Sequence, residues 1–183
     1  MKLQRGDDWA FQLLVRRYRK KIFSIAFGIT LDAEESQDIV QEVFLQVYRS
    51  IHNFRNDASL STWLRRITVN RCLNWKRRWA RRFKWLHLPL GSDDDESRID
   101  PKSDLPSPEA HVSDAQTQAQ IDAALKQLPH HARTVFVLRE VEGLSYEEIA
   151  DVTGVKLGTV RSRLFHARKR LKEILAPLME DEK

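Results

Sequence analysis

The stretch GTVRSRLFHARKRL, residues 158–171, holds Arg161, Arg163, Arg168, Lys169 and Arg170 and no acid. On a helical wheel Val160, Leu164, Ala167 and Leu171 fall within about 60° of one another, a stripe made to face a core. Arg161, Phe165, Arg168 and Lys169 fall on the far side. Phe165 is the informative member, because a phenylalanine serving a core has no reason to point away from it. These residue types suit duplex DNA. Arginine takes a guanine edge bidentately and an aromatic ring touches a thymine methyl, so Arg161, Ser162, Phe165 and His166 are placed for base edges. Lys156 and Thr159 near the helix start, with Arg168 and Lys169 further on, are placed for phosphates. The competing reading is an ordinary surface helix with solvated arginines.

A second set of residues points to unpaired bases. Trp63, Asn70 and Asn74 share one helical stripe, with Arg66 and Arg77 beside it. Asparagine gains nothing by aligning with tryptophan in a core. Stacking aromatics, amides that read base edges and arginines that hold phosphates are the equipment of a single-strand site, and a flipped base needs such a pocket. The run NWKRRWARRFKW continues the theme with Trp75, Trp79, Phe83 and Trp85. The alternative is that these tryptophans pack on the first helix, and about half are expected to do so.

These residues need helices to hold them. Ser145 precedes Glu148 by three, a capping box; Leu144 and Ile149 are spaced for a hydrophobic staple; Gly154 stops the helix. A capped helix, a glycine turn and the basic helix make a helix-turn-helix, with Ala150, Gly154 and Val160 at its small, turn and apolar positions. Upstream, Ile121, Leu125 and Leu128 predict a helix stopped by Pro129, and Val135, Phe136, Leu138 and Val141 another over 131–142. In the first half, Phe11, Leu14, Tyr18, Ile22, Ile25 and Ile29 predict a helix over 7–30. Ile39, Val40, Val43, Phe44, Val47, Tyr48 and Ile51 predict a second over 33–51, and a third spans 60–82. Leu45 lies on the polar face of the second helix with Asp38, Gln41 and Glu42. It is either a stray surface leucine or the apolar anchor of a protein-binding face.

Charge divides the chain. Residues 1–88 carry 18 Lys/Arg and 8 Asp/Glu, residues 89–114 carry 2 and 8, and residues 115–183 carry 11 and 10. The acidic middle has four prolines and no periodicity, which predicts a flexible linker. The expectation is an all-α chain of two small helical domains, 1–88 and 115–183, joined by the acidic linker 89–114, the second ending in the helix-turn-helix. No β alternation or internal repeat is found. One cysteine, Cys72, excludes an internal disulfide and a cysteine-rich zinc cluster. His130 and His131 are adjacent and cannot face one way on a helix, so they are expected to be solvated beside Pro129, with no metal or cofactor. No secretory leader and no membrane-length apolar run is present, so a cytoplasmic location without membrane insertion is expected.

AEESQDIVQEVFLQVYRSI, FRNDASLSTWLRRITVNRCLN and LPHHARTVFVLREVEGLSYEEIADVTGVKLGTVRSRLFHARKRL together resemble regions 2 and 4 of the bacterial extracytoplasmic-function (group 4) sigma factors. The resemblance covers almost all of the chain outside the linker. It implies a promoter-specificity subunit of RNA polymerase with no catalytic chemistry of its own. By that likeness Asp38, Gln41, Glu42 and Leu45 face the β′ coiled coil of core polymerase, and the β flap is a further core contact. The loop HNFRNDAS and the start of the third helix, with Phe54, Asn56 and Ser61, join Trp63, Arg66, Asn70, Asn74 and Arg77 in capturing and melting the −10 element; Asn70 matches a position that contacts a flipped base. Arg139, Tyr146 and Glu147 join Thr159, Arg161, Ser162, Phe165, His166, Arg168 and Lys169 on the −35 element. The linker threads toward the polymerase cleft, and an anti-sigma factor, commonly membrane-bound, wedges between the domains and can hold the protein at the inner membrane. Two positions depart from the likeness: no capping side chain stands at Lys156–Leu157, and His166 stands where a basic residue is common.

Two rival readings remain at this level. A plain helix-turn-helix regulator accounts for the second domain but not for the Trp63–Asn70–Asn74 stripe or Leu45. A DNA-cutting recombinase needs a nucleophilic serine in an α/β domain, and no such domain is legible.

Overall fold

The computed structural model describes the backbone of residues 3–55, 57–84 and 112–180, and side chains within 3–55, 57–75 and 117–177. The predicted linker 89–114 and Trp85 lie outside the described residues, except that a helix already begins at Val112. Among the described residues there are seven α-helices and no strand: α1 Asp8–Thr30, α2 Ala33–Ser50, α3 Leu60–Lys84, α4 Val112–Lys126, α5 His130–Phe136, α6 Tyr146–Thr153 and α7 Leu157–Glu180.

The first three helices form one unit. Asp7 caps α1, its Oδ1 accepting from Ala10 N at 3.0 Å, and Asp32 caps α2 by accepting from Glu35 N at 3.0 Å. Such caps satisfy amides that the helix itself leaves unpaired. Between the two helices Leu31 adopts the left-handed conformation, φ 57°, which makes a tight α-hairpin. Leu14, Ile22, Ile25 and Ile29 of α1 pack against Ile39, Val43 and Val47 of α2 and Leu64, Val69 and Cys72 of α3. Burial holds the Cys72 thiol up at about 12, from an ordinary 9.0. Tyr48, predicted on the apolar arc of α2, is 56% exposed instead; one edge of its ring meets Phe11, with centroids 5.2 Å apart.

The second unit contains the expected helix-turn-helix. The capping box is present in both directions: Glu148 N donates to Ser145 Oγ at 3.1 Å and Ser145 N to Glu148 Oε2 at 2.8 Å. Leu144 and Ile149 are buried, and Gly154 ends α6 at φ 70°. Val160, Leu164, Ala167 and Leu171 of α7 are all buried, as the stripe requires.

The helix predicted over 131–142 differs in form. Its α-helical part ends at Phe136, and Val137–Val141 form a wider π-helical turn. The turn leaves Val141 58% exposed and takes the Glu142 side chain out of solvent, to 7% exposure. His130 is not solvated as expected but 5% exposed. Pro129, with no N–H of its own, starts α5 and turns His130 inward; His131 is the solvated one of the pair.

The two units are not held apart. Val137, Leu138, Ile149, Val160 and Leu164 belong to the same buried cluster as Ile25, Val43 and Leu64. Gly28 on α1 lies so near Val137 that an added Cβ would sit 2.9 Å from Val137 Cγ1.

Candidate nucleic-acid interface

The outward face of α7 is the clearest surface. Phe165 is 64% exposed, a large apolar ring that the fold does not bury. Its ring meets His166 edge-on, centroids 5.4 Å apart. Arg161, Ser162, His166, Arg168 and Lys169 are exposed on the same helix and Thr159 half-buried. The Ser162 hydroxyl donates back to Thr159 O at 3.1 Å. Buried apolar residues thus line one side of α7, and exposed basic, polar and aromatic residues line the other.

The capping box brings three further candidates to this face. Arg139 Nη1 donates to Leu144 O at 2.7 Å, and its guanidinium lies 5.2 Å from the centre of the Tyr146 ring. The Glu147 carboxyl is held below its ordinary range, first by its own backbone N–H at the start of α6, then by the Ser145 hydroxyl, and further by Arg161 and Arg139. Arg139, Tyr146, Glu147 and Arg161 are thus electrostatic neighbours across the turn. Arg168 is not free: it is paired with Glu140, which also holds its guanidinium charged.

The first domain presents the other stripe. Asn70 and Asn74 are exposed on α3 and Trp63 is half-buried. Phe54 is placed differently from the expectation: it is 8% exposed and tilts against Trp63, with centroids 5.1 Å apart. The loop folds back here, Gln4 Nε2 donating to Phe54 O at 2.7 Å, so Phe54 buttresses the tryptophan instead of meeting solvent. Ser61 is half-buried. Arg66 carries an ion pair to Asp151 of α6, an atom contact that crosses between the two domains. Arg77 lies on α3 beyond the described side chains, and Asn56 lies outside the described residues. Of the tryptophans, Trp9 is 65% exposed while Trp63 and Trp75 pack against the core; the side chain of Trp79 is not among those described.

On α2, Leu45 is 56% exposed with Asp38 and Gln41 beside it, and Glu42 pairs with Arg71 at 3.3 Å. Leu45 is no isolated surface leucine. It stands on the wall of an open groove of about 1120 Å³ between α1 and α2, lined by Phe11, Phe23, Phe44 and Tyr48 and edged by Arg16 and Lys20. The groove is not legible in the sequence, because its two walls come from separate helices, Phe11, Val15 and Phe23 on α1 and Phe44, Leu45 and Tyr48 on α2. Among the described residues no group of three or more His, Cys, Asp or Glu could hold a metal, and no helix is long and apolar enough to cross a membrane.

Residues 14–82 match the family model described as Sigma-70 region 2, and residues 118–171 the one described as Sigma-70, region 4. The chain is 38% identical over 180 residues to the RNA polymerase sigma-H factor of Pseudomonas aeruginosa, covering 98% of this chain and 93% of that protein. It is 34% identical over 184 residues to the ECF RNA polymerase sigma-E factor of Escherichia coli, covering 97% and 93%. Its fold is similar to that of the sigma factor RpoE of Bartonella quintana, solved with the anti-sigma factor NepR, with a TM-score of 0.71 at 23% identity over 91% of this chain and 97% of that one. It is similar again to CnrH, solved with the cytosolic domain of CnrY, with a TM-score of 0.68 at 22% identity over 96% and 94%. With both sigma-70 regions in order along one chain and full-length relatives above the one-third identity mark, this protein belongs to the extracytoplasmic-function (ECF) class of RNA polymerase sigma factors.

Proposed function

We propose that this sigma factor divides promoter recognition between two domains, 1–88 and 115–183, tethered by residues 89–114. The second reads the duplex −35 element through Arg161, Ser162, Phe165 and His166, supported by Arg139, Tyr146, Glu147 and Thr159, with Arg168 and Lys169 on phosphates. The first holds unpaired −10 bases on Trp63, Asn70 and Asn74, with Phe54 as the buttress and Asn56, Ser61, Arg66 and Arg77 around it. Trapping a flipped base offsets the few kcal/mol of unstacking, so melting begins at a chosen sequence. The protein acts as an initiation factor and carries no bond-making step. It works in the cytoplasm, and an anti-sigma factor regulates it.

Asp38, Gln41, Glu42 and Leu45 form the face for core polymerase. The observation that carries this reading is the 56% exposure of Leu45 at the mouth of an aromatic groove, which a free-standing duplex-DNA regulator does not need. Transcription in vitro with core enzyme on a promoter library tests it and returns both element preferences. Leu45→Arg is expected to abolish core binding and transcription while leaving duplex binding by the second domain intact. Transcription at the wild-type level by that variant overturns the assignment.

A further inference from the structure

The helix α1 does not need the residues ahead of it. Asp7 already caps it, with Oδ1 accepting from Ala10 N, so its first amides are served without help from further upstream. Yet Leu3–Arg5 form a 3-10 helical turn, closed by Gly6 N donating to Leu3 O at 3.2 Å. Gly6 takes φ 76°, and an added Cβ there would meet nothing within 4 Å. Glycine serves that position for its backbone conformation and not for space. The turn is thereby folded back onto the first domain, where Leu3 packs against the buried cluster.

This fold-back reaches the −10 loop. Gln4 Nε2 donates to Phe54 O at 2.7 Å, across fifty positions of sequence. Phe54 ends the short helical turn Ile51–Asn53 in an extended conformation, ψ 112°, so its carbonyl has left the regular helical pattern and gains from a fixed donor. The same residue is fastened at two more points. Its N–H donates to Ile51 O at 3.1 Å, and its ring tilts against Trp63 with centroids 5.1 Å apart. Trp63 belongs to the first turn of α3, which has a cap of its own: Thr62 N donates to Ser59 Oγ at 3.1 Å and Trp63 N to Ser59 O at 3.0 Å. The helix start is therefore set locally, whereas the placement of Phe54 behind the tryptophan draws on the N-terminal turn.

We propose that Gln4 is a positioning residue for the −10 site. Anchored by Leu3, it holds Phe54 against Trp63, so that the indole is set for an unpaired base before DNA arrives. The inference rests on the −10 reading above and adds a residue that acts through Phe54 and Trp63 instead of on the base. A stacking platform ordered in advance binds more tightly than one that must be ordered on contact, because the ordering cost is not drawn from the binding energy.

The test uses the full chain. Gln4→Met keeps the length of the side chain and removes the donor; Gln4→Glu keeps its shape and sets an acceptor against the Phe54 carbonyl. With core polymerase, each variant is expected to bind a forked template with an unpaired −10 strand about fivefold more weakly than wild type, the usual worth of one hydrogen bond. Affinity of the free chain for a −35 duplex should not change, and hydrogen exchange of the amides in residues 51–55 should quicken. A general structural role for Gln4 would lower both affinities together, so an equal loss on the −35 duplex overturns the proposal. Wild-type affinity for the forked template in both variants overturns it, and so does unchanged exchange over residues 51–55. The two levels of inference separate on the wild-type protein. If its polymerase complex binds forked and sealed templates alike, the −10 reading fails and takes this inference with it. A preference for the forked template that both variants keep defeats the role of Gln4 alone.

Discussion

The Arg168 guanidinium closes on one carboxylate oxygen of Glu140, with Nε at 3.0 Å and Nη2 at 2.6 Å from Oε1. The side chains are 51% and 39% exposed, so the pair adds little to stability. Its consequence is for DNA, because a phosphate must compete with Glu140 for Arg168. Glu140→Gln is expected to tighten −35 duplex binding and to steepen the dependence of log affinity on log salt by about 0.9, the share of one phosphate. An unchanged slope together with unchanged affinity in a titration over salt concentration means that Glu140 does not compete with a phosphate for Arg168.

Phe165 and Leu164 are adjacent on α7 and should behave in opposite ways. Leu164 is 1% exposed and Phe165 64%. Leu164→Ala is expected to cost about 2–5 kcal/mol of stability. Phe165→Ala should leave the melting temperature in place and lower sequence-specific −35 affinity by about 1–3 kcal/mol. Thermal melts paired with duplex binding on matched and scrambled sites distinguish them. Loss of stability in the Phe165 variant would contradict its exposure.

Asn70 and Asn74 are exposed on α3 without any evident packing role. The double change Asn70→Ala with Asn74→Ala is expected to keep the helical content and melting temperature. It should weaken the preference of the polymerase complex for bubble templates over sealed duplex, by about 1–3 kcal/mol for each base that the stripe no longer holds. If the variant complex opens a promoter at the wild-type rate, the stripe is decoration.

Cys72 gives a pH signature. Burial raises its thiol from 9.0 to about 12, so the folded state keeps the proton in a window where the unfolded chain has lost it. Stability from this group is complete below pH 9 and falls by about 1.4 kcal/mol per unit as pH rises from about 9 to 12. Denaturation of wild type and Cys72→Ala across that range should show the difference shrinking with that slope. The native thiol should also resist alkylation at pH 9. A parallel pair of stability curves would show that Cys72 titrates normally.

The capping box at Ser145 and Glu148, the Gly154 stop and the α7 stripe rest on contacts three or four residues apart, and such spacing is written directly in the order of residues. The outward Phe165 follows from the same periodicity. The exposed Leu45 was legible too, but not its groove, because the wall that faces it comes from Phe11 and Phe23 on another helix. Tyr48 fits the apolar arc of α2 and yet lies at the rim of that groove, 56% exposed. His130 went inside because Pro129 set the start of α5, a choice that periodicity does not carry.

Docking was beyond local reading altogether. Gly28 and Val137 are more than a hundred residues apart in the chain, and viewed alone one looks like a small local misfit and the other like an ordinary core residue. Residue order determined the helices, their caps and the two polar faces, because those depend on neighbours within a turn. Only tertiary packing decided that the two domains share a core, because a close approach is a property of two surfaces at once.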